Sequence, residues 1–175
     1  ELSLSDGFVI TVLFWIVLSV SGSIPFILFG FGVVDSFFES MSGITTTGAT
    51  VIAGLDDLPK SLLIYRQLLQ WLGGMGLIVL AIAVMPLLGI GGGQLFKTQT
   101  PGPMSEQRLT PRITSTARAL WSIYFVLTVL CIFAYRLAGM SYFDAVSHAF
   151  STVSIGGFST HDLSIGFFDS LSVEI

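Results

Sequence analysis

The sequence predicts an all-α integral membrane fold, built from repeats of a span, a re-entrant pore helix with a filter strand, and a second span. Three observations predict it. Of the 175 residues, 53% are hydrophobic and only 10% are charged, against roughly 25% charged residues in soluble domains. Long stretches carry no charge at all. A short polar stretch recurs 109 residues downstream, beginning at Asp35 and again at Asp144.

The composition also excludes several classes of function. A net charge of −4 argues against a nucleic-acid partner, because proteins that bind phosphate backbones are basic. The single cysteine, Cys131, lies in an apolar run and allows neither an internal disulfide nor a cysteine metal cluster. No positive segment precedes the first apolar run, so a signal peptide is not expected. The abrupt start and end of the sequence suggest a fragment of a longer protein.

The first repeat is predicted over residues 1–96, with spans at about 8–30 and 67–90. Phe8–Val34 and Gln67–Phe96 contain no charged residue. Each stretch exceeds the roughly 20 residues that cross a bilayer core as a helix. Both are therefore expected to be membrane-spanning helices.

A polar segment lies between these two spans. Residues 35–44 begin like a helix, with acids that suit its N-terminal dipole, but they are too few to cross a bilayer. We therefore predict a re-entrant pore helix there. Thr45–Thr50 follows as an extended filter strand, because three threonines disfavour a helix and Gly48 relaxes the backbone. Val51–Arg66 is then expected to be a polar loop.

The loop predicted over Lys97–Arg118 sets the orientation in the membrane. It holds four of the seven Lys and Arg residues of the chain, and such loops remain in the cytoplasm under the positive-inside rule. Residues 35–66 are therefore expected on the outer side, where their acids would concentrate cations. The prolines Pro101, Pro103 and Pro111 argue against a continuous helix through the loop.

The second repeat is predicted over residues 119–175 and stops before its closing span. Ala119–Tyr135 is uncharged and lies between two arginines that can snorkel, so it can cross. Phe143–Val153 is expected to be the second pore helix and Ser154–Ser159 the second filter strand. The two repeats align without a gap and run in the same direction, which predicts parallel repeats around an axis along the membrane normal.

The two filter strands carry the predicted chemistry. Irregular backbone at membrane depth must be buried in protein or line water, and inward-pointing carbonyls can replace the hydration shell of an ion. The negative C-terminal end of each pore helix favours a cation, and threonine hydroxyls can add oxygen ligands. The candidate filter residues are Thr45, Thr46, Thr47, Gly48, Ala49, Ser154, Ile155, Gly156, Gly157 and Phe158.

These motifs resemble the Trk/Ktr/HKT superfamily of potassium transporters, and within it the TrkH/TrkG family of bacterial membrane subunits. The matching stretches are FFESMSGITTTGATVI, LLQWLGGMG and FSTVSIGGFSTHDLSIGFFD. The resemblance implies four span–pore-loop–span repeats arranged like a potassium channel, in the bacterial inner membrane as a multi-pass protein. It implies that potassium is the permeant ion and that no cofactor is required. Potassium would bind through Thr46, Thr47, Ile155 and Gly156.

The resemblance has further implications. Only Gly48 and Gly157 match the filter pattern of potassium channels, which implies weaker selectivity against sodium. The family forms homodimers in lipid and docks on a cytoplasmic nucleotide-binding regulatory subunit, TrkA. The Lys97–Arg118 loop is a candidate contact for such a TrkA-like partner.

Two other classes of function remain to be weighed. A secondary transporter, with potassium moving by symport with protons or sodium, would also place half-helices at the membrane midplane. The predicted spans contain none of the ionisable residues that mark such relays, which disfavours that alternative. A membrane enzyme is disfavoured because the two histidines, His148 and His161, form no metal-binding motif. We interpret His148 as a packed pore-helix residue, His161 as solvent-facing, and Glu39 as an inter-helix or capping partner.

Overall fold

The computed structural model of this chain describes residues 4–84 and 109–174. Within these ranges it is helical and contains no strand, so the predicted all-α class is confirmed. Two single 3-10 turns lie in the loops, at Leu55–Asp57 and Ser164–Phe168. The α-helices are α1 (Leu4–Phe29), α2 (Val33–Ile44), α3 (Lys60–Val84), α4 (Leu109–Leu137), α5 (Tyr142–Val153) and α6 (Leu171–Glu174).

Two of these helices are long and apolar enough to cross a membrane. They contain Asp6–Phe29, with a mean hydropathy of 2.3, and Ser115–Leu137, with 1.9. Only 22% and 11% of their apolar windows are buried inside the structure. A core helix of a soluble protein would bury most of such a surface, so these helices are suited to lipid or to further protein. The third predicted span, at about 67–90, falls on α3 as far as Val84, and its last residues lie outside the described ranges.

Two helices begin earlier than the sequence analysis placed them. Helix α3 begins at Lys60, within the predicted loop, because the Pro59 carbonyl accepts the amides of the first turn. Helix α4 begins at Leu109 rather than at Ala119 and includes Pro111. A proline in the first turn leaves no helical hydrogen bond unmade, since the amides there have no partner in the helix. The remainder of the predicted basic loop, 97–108, lies outside the described residues.

The two short helices, α2 and α5, are copies of one design. Each has 12 residues, and each begins and ends 109 positions from its counterpart, at Val33 and Tyr142 and at Ile44 and Val153. A glycine with positive φ precedes each: Gly30 at 108° and Gly139 at 105°. The repeat seen in the sequence is therefore a repeat of backbone conformation.

Helix α3 lies between these two copies. It packs against α2 on one side and against α5 on the other, while α1 packs on α2 and α4 on α5. The close approach needs small residues, because a Cβ on Gly73 would lie 1.9 Å from the carbonyl oxygen of Ile44. A Cβ on Gly74 would lie 2.9 Å from the Cβ of Ser154. The central helix thus reaches both short helices at the points where they end.

Candidate functional site

The first predicted filter segment, residues 45–50, leaves the C-terminal end of α2 through a left-handed turn. Thr46 has a φ of 56°, and its amide donates to the carbonyl of Gly43 at 3.0 Å. The amide of Thr47 donates to the carbonyl of Ser42 at 2.9 Å. These bonds satisfy carbonyls in the last turn of α2, so the segment is held against the helix end.

The second filter segment, residues 154–159, leaves α5 through the same turn. Ile155 has a φ of 57°, and its amide donates to the carbonyl of Thr152 at 3.0 Å. The amide of Gly156 donates to the carbonyl of Ser151 at 2.8 Å. Every one of these positions is 109 residues after its counterpart in the first segment.

The left-handed residue in each turn is β-branched, which is an unusual choice. Thr46 and Ile155 both occupy a region of φ that glycine fills without strain. Such residues cost of order 1–3 kcal/mol each and collect at functional sites. Because the same strain recurs at equivalent positions of two repeats, it points to a function shared by the two segments.

The two segments meet at glycines. A Cβ on Gly48 would lie 1.9 Å from the carbonyl oxygen of Gly156 and 3.4 Å from the Cα of Gly157. Gly48 also has a φ of 75°, so both space and backbone conformation require glycine there. Gly157 has a φ of 83°, but a Cβ on it would meet nothing within 4 Å. Gly48 is therefore the tighter of the two positions.

The hydroxyls at the start of each segment are engaged with the pore helices. Thr45 Oγ1 donates to the carbonyl of Met41 at 2.8 Å and lies 2.8 Å from the hydroxyl of Thr47. Ser154 Oγ donates to the carbonyl of Phe150 at 2.8 Å. Thr45 and Ser154 therefore cap the C-terminal ends of their helices. Thr47 and Ala49 are exposed.

Two further candidate filter residues differ in exposure. The side chain of Ile155 is 89% exposed, whereas that of Phe158 is buried. The guanidinium carbon of Arg66 lies 4.4 Å from the centre of the Phe158 ring. Phe158 thus contributes packing through its side chain, and only its backbone is left for an ion.

Gln70, on α3, supports the second segment from behind. Its Nε2 donates to the carbonyl of Gly156 at 2.8 Å, and its Oε1 accepts from the amide of Phe158 at 3.1 Å and from the hydroxyl of Ser151 at 2.9 Å. A Cβ on Gly156 would lie 2.3 Å from the Gln70 carboxamide carbon. The Gly156 carbonyl, a predicted potassium ligand, therefore already has one partner; a carbonyl has two lone pairs, so a second contact is possible.

A buried ion pair joins α3 to α2. Arg66 Nε donates to Glu39 Oε1 at 2.7 Å, and both side chains have no exposed area. Arg66 Nη2 donates to the hydroxyl of Thr50 at 3.0 Å, and Nη1 donates to the carbonyl of Ser159 at 3.1 Å. Glu39 is thus an inter-helix partner, as the sequence analysis interpreted it, and Arg66 belongs to a helix rather than to the predicted loop.

In the second repeat, His148 stands at the position of Glu39. Its Nε2 lies 2.9 Å from the hydroxyl of Ser159, and its Nδ1 lies 2.9 Å from the carbonyl of Asp144. This pattern fits a neutral imidazole with its proton on Nδ1. Thr50 makes the corresponding bond in the first repeat, donating to Glu39 at 2.9 Å. His148 is buried, in agreement with its interpretation as a packed residue.

His161 does not face open solvent, contrary to the sequence-based interpretation. Its side chain is 16% exposed and stacks on Phe167 at a ring distance of 3.5 Å. Its Nδ1 contacts a carboxylate oxygen of Asp56, and its Nε2 lies 3.3 Å from Asp144 Oδ1. The amide of Gly54 donates to Asp162 at 3.0 Å. These contacts join the outer loops of the two repeats.

Two carboxyl groups of this outer cluster, those of Asp56 and Asp144, have a pKa below their ordinary value. The hydrogen bond with His161 lowers the pKa of Asp56. Partial burial acts to raise the pKa of Asp144, but hydrogen bonds from Ser141 and Thr160, together with the nearby histidines, outweigh it and leave the pKa lowered. Both groups are therefore carboxylates at neutral pH.

Sequence reasoning did not identify Arg66 and Gln70 as parts of the site. The sequence predicts a loop at Arg66 and an apolar span at Gln70. The signal that could have found them is their spacing, because residues four apart lie on one face of a helix. Two long polar side chains on one face of an otherwise apolar helix require buried partners.

The whole chain matches the family model described as TrkH, a cation transport protein, over residues 1–175. The Trk system potassium uptake protein TrkH of Vibrio parahaemolyticus is 58% identical over 178 residues, covering 100% of this chain and 37% of that protein. The TrkH of Escherichia coli strain K12 is 54% identical over 177 residues, covering 99% and 37%. The TrkG of the same strain is 51% identical over 178 residues, covering 100% and 37%.

A solved structure has the same fold. The crystal structure of the potassium transporter TrkH from Vibrio parahaemolyticus superposes with a TM-score of 0.80 at 57% sequence identity. The match covers 96% of this chain and 33% of that chain. The chain thus spans little more than a third of the curated relatives it matches, 37% of their length.

Proposed function

The chain belongs to the TrkH family of cation transport proteins, and from this membership we propose that it forms part of a potassium-conducting pore in a membrane. Its relatives are named as potassium uptake proteins, and transport of this kind involves no enzymatic step. The observation that carries the proposal is that two identically built segments meet. They are so close that a Cβ added to Gly48 would lie 1.9 Å from the carbonyl oxygen of Gly156.

The geometry suits a filter for a cation. The C-terminal ends of α2 and α5 lead directly into the two segments, so each helix directs a partial negative charge toward them. The segments continue as non-helical backbone, whose carbonyls can replace water around a potassium ion. Residues 45–49 and 154–158 are the proposed filter, with potassium held through Thr46, Thr47, Ile155 and Gly156.

Two segments do not enclose an ion by themselves. We expect further repeats of a longer polypeptide to complete the proposed filter. This chain covers 37% of the length of its TrkH relative from Vibrio parahaemolyticus. Ile155 is 89% exposed although it is apolar, which fits a surface that other repeats cover. A channel-like pore is preferred to a coupled symporter, because hydrogen bonds within the protein engage the buried ionisable pair of Arg66 and Glu39, which is therefore not placed to relay protons.

The assembly and location follow as further parts of the proposal. We expect a multi-pass protein of the bacterial inner membrane that forms a homodimer and binds a TrkA-like nucleotide-binding subunit. The support is the family membership together with the two apolar helices Asp6–Phe29 and Ser115–Leu137. Lys97–Arg118 is the proposed cytoplasmic contact.

The filter is tested by placing side chains on its glycines. We would measure rubidium and sodium uptake by the intact protein in vesicles, comparing Gly48→Ser and Gly157→Ser with the unaltered protein. Gly48→Ser should abolish uptake or remove its selectivity, because the side chain would meet the Gly156 backbone. Gly157→Ser should have a smaller effect, because only its φ is unfavourable.

The matched control is Gly54→Ser. Gly54 has the same φ as Gly48, 75°, but lies in the outer loop, where a Cβ would meet nothing within 4 Å. The unfavourable φ is therefore the same at both positions, which differ in location and in the room for a side chain. If Gly48→Ser transports like Gly54→Ser, with the same selectivity, the filter assignment is wrong.

A further inference from the structure

We propose that Arg66 is a positioning residue that holds the two filter segments in register, so that ion selectivity depends on its guanidinium although the guanidinium does not bind the ion. This inference rests on the proposed function, since it concerns how the same filter is kept in shape. It goes beyond that function by assigning a role to a side chain on α3, outside both filter segments.

The first step is the way the three nitrogens of Arg66 are distributed. Nε and Nη2 bind the first repeat, at Glu39 (2.7 Å) and at the Thr50 hydroxyl (3.0 Å). Nη1 binds the second repeat, at the Ser159 carbonyl (3.1 Å). Thr50 and Ser159 are equivalent positions at the outer ends of the two segments. One rigid, planar group thus fixes the distance between those ends.

The second step is the burial of the group. Arg66 and Glu39 have no exposed side-chain area, and the Phe158 ring lies 4.4 Å from the guanidinium carbon. A buried ion pair is a weak source of stability, because apolar residues of the same volume often stabilise a fold as well. What an ion pair supplies in addition is a defined geometry. The ring adds a cation–π contact on one face of the guanidinium.

The third step is the difference between the repeats. The position occupied by Glu39 in the first repeat is occupied by His148 in the second, and each binds the hydroxyl at the end of its own segment. A carboxylate in place of His148 would need a second buried cation. Nη1 of Arg66 instead reaches the backbone of Ser159, so a single cation serves both repeats. The arrangement ties the two segments together rather than bracing each separately.

The test is the substitution Arg66→Lys in the intact protein, with competition between rubidium and sodium as the readout. Lysine keeps a positive charge beside Glu39, but a single ammonium cannot bind both segments as the planar fork does. Selectivity should fall about tenfold while uptake persists, in line with the loss of a hydrogen bond to a charged group. Unchanged selectivity in a folded Arg66→Lys protein would overturn the proposal.

The matched control is Arg136→Lys. Arg136 also stands in a helix with its side chain bound to a carbonyl, that of Met140, and against a ring, that of Tyr142 at 3.9 Å. It contacts neither filter segment. Arg136→Lys should leave selectivity as it is. An equal fall in both variants would mean that any arginine replacement disturbs transport, and would also overturn the proposal.

A second pair of variants applies if Arg66→Lys does not fold. Thr50→Val removes the hydroxyl that links Glu39 and Arg66 while keeping the shape of the side chain, and Thr50→Ser keeps the hydroxyl. Selectivity should fall in the valine variant and be retained in the serine variant. Equal selectivity in the two variants would contradict the proposal.

These outcomes separate this inference from the proposed function. If the unaltered protein takes up no rubidium, the proposed function fails, and the selectivity comparison does not arise. If the unaltered protein is selective and Arg66→Lys and Thr50→Val are equally selective, the pore is real but Arg66 does not position it.

Discussion

His161 is the residue that joins the two repeats on the outer side, through Asp56 of the first and Asp144 of the second. The bond to His161 lowers the pKa of Asp56 in the folded protein. A carboxyl whose pKa is depressed on folding stabilises the fold above its unfolded pKa, and this contribution is lost as the pH falls through the folded value. Since free aspartate titrates near pH 4, the outer loops should loosen below about pH 4.

We therefore predict that Asp56→Asn loosens the outer loops at neutral pH. The amides that should exchange faster with solvent are those of Gly54 and Asp162, because Asp162 donates to Asp56 and accepts from Gly54. Hydrogen exchange, corrected for intrinsic rates and followed from pH 3 to 7, measures the effect. Asp57→Asn is the control, since that carboxylate does not contact His161. Equal protection in the two variants would show that the contact does not hold the loops.

The residue scale is also where sequence reasoning reached least far. Gly48 could be predicted, because glycine among threonines signals a special backbone conformation, and the structure gives it both a positive φ and no room for a Cβ. For Arg66 and Gln70 the spacing could indicate a shared buried face, but not the partners, because each of them also binds a backbone carbonyl more than 80 residues away. Long-range hydrogen bonds of this kind leave no local pattern.

At the scale of elements, two glycines of α3 differ in the space around them. A Cβ on Gly73 would lie 1.9 Å from the Ile44 carbonyl oxygen, whereas a Cβ on Gly76 would meet nothing within 4 Å. We predict that Gly73→Ala lowers stability by roughly 1–3 kcal/mol, the usual cost of overpacking. Gly76→Ala should be neutral or stabilising by up to about 1 kcal/mol, the gain in helix propensity.

Thermal unfolding of the two purified variants in detergent measures this difference. Both changes add one methyl group to the same helix, so each serves as the control for the other. A lower midpoint for Gly73→Ala alone is the expected outcome. Equal midpoints would mean that α3 does not approach the end of α2 as closely as described.

The elements themselves could largely be predicted, and their limits could not. Apolar runs indicate where a helix crosses the bilayer, but a helix continues into the polar layer as long as its hydrogen bonds are made. This explains why α3 begins at Lys60 and α4 at Leu109, before the uncharged stretches begin. The limits of the two short helices agree better with the prediction, because a glycine turn precedes each of them and a polar segment follows.

At the scale of the whole molecule, the repeat makes the orientation testable. Helix α4 ends at Leu137, close to the start of α5 at Tyr142 and to the outer loops, so its beginning near Leu109 lies at the opposite end. This end of α4 belongs to the basic segment that the positive-inside rule predicts to be cytoplasmic. The sequence of that basic segment includes Arg108 and Arg112.

We predict that Arg108→Glu and Arg112→Glu each weaken binding of the intact membrane protein to the proposed TrkA-like nucleotide-binding subunit. Single exposed charge pairs contribute up to about 1 kcal/mol, so each reversal should weaken affinity a few-fold. The effect should grow at low ionic strength, where exposed charges are less screened. Titration of the partner onto the protein in lipid nanodiscs, at two salt concentrations, measures it. Lys60→Glu is the control, because Lys60 begins α3 beside the outer loops. Equal weakening by Lys60→Glu would contradict the proposed interface at this end of α4. Unchanged affinity in both arginine variants would contradict it too.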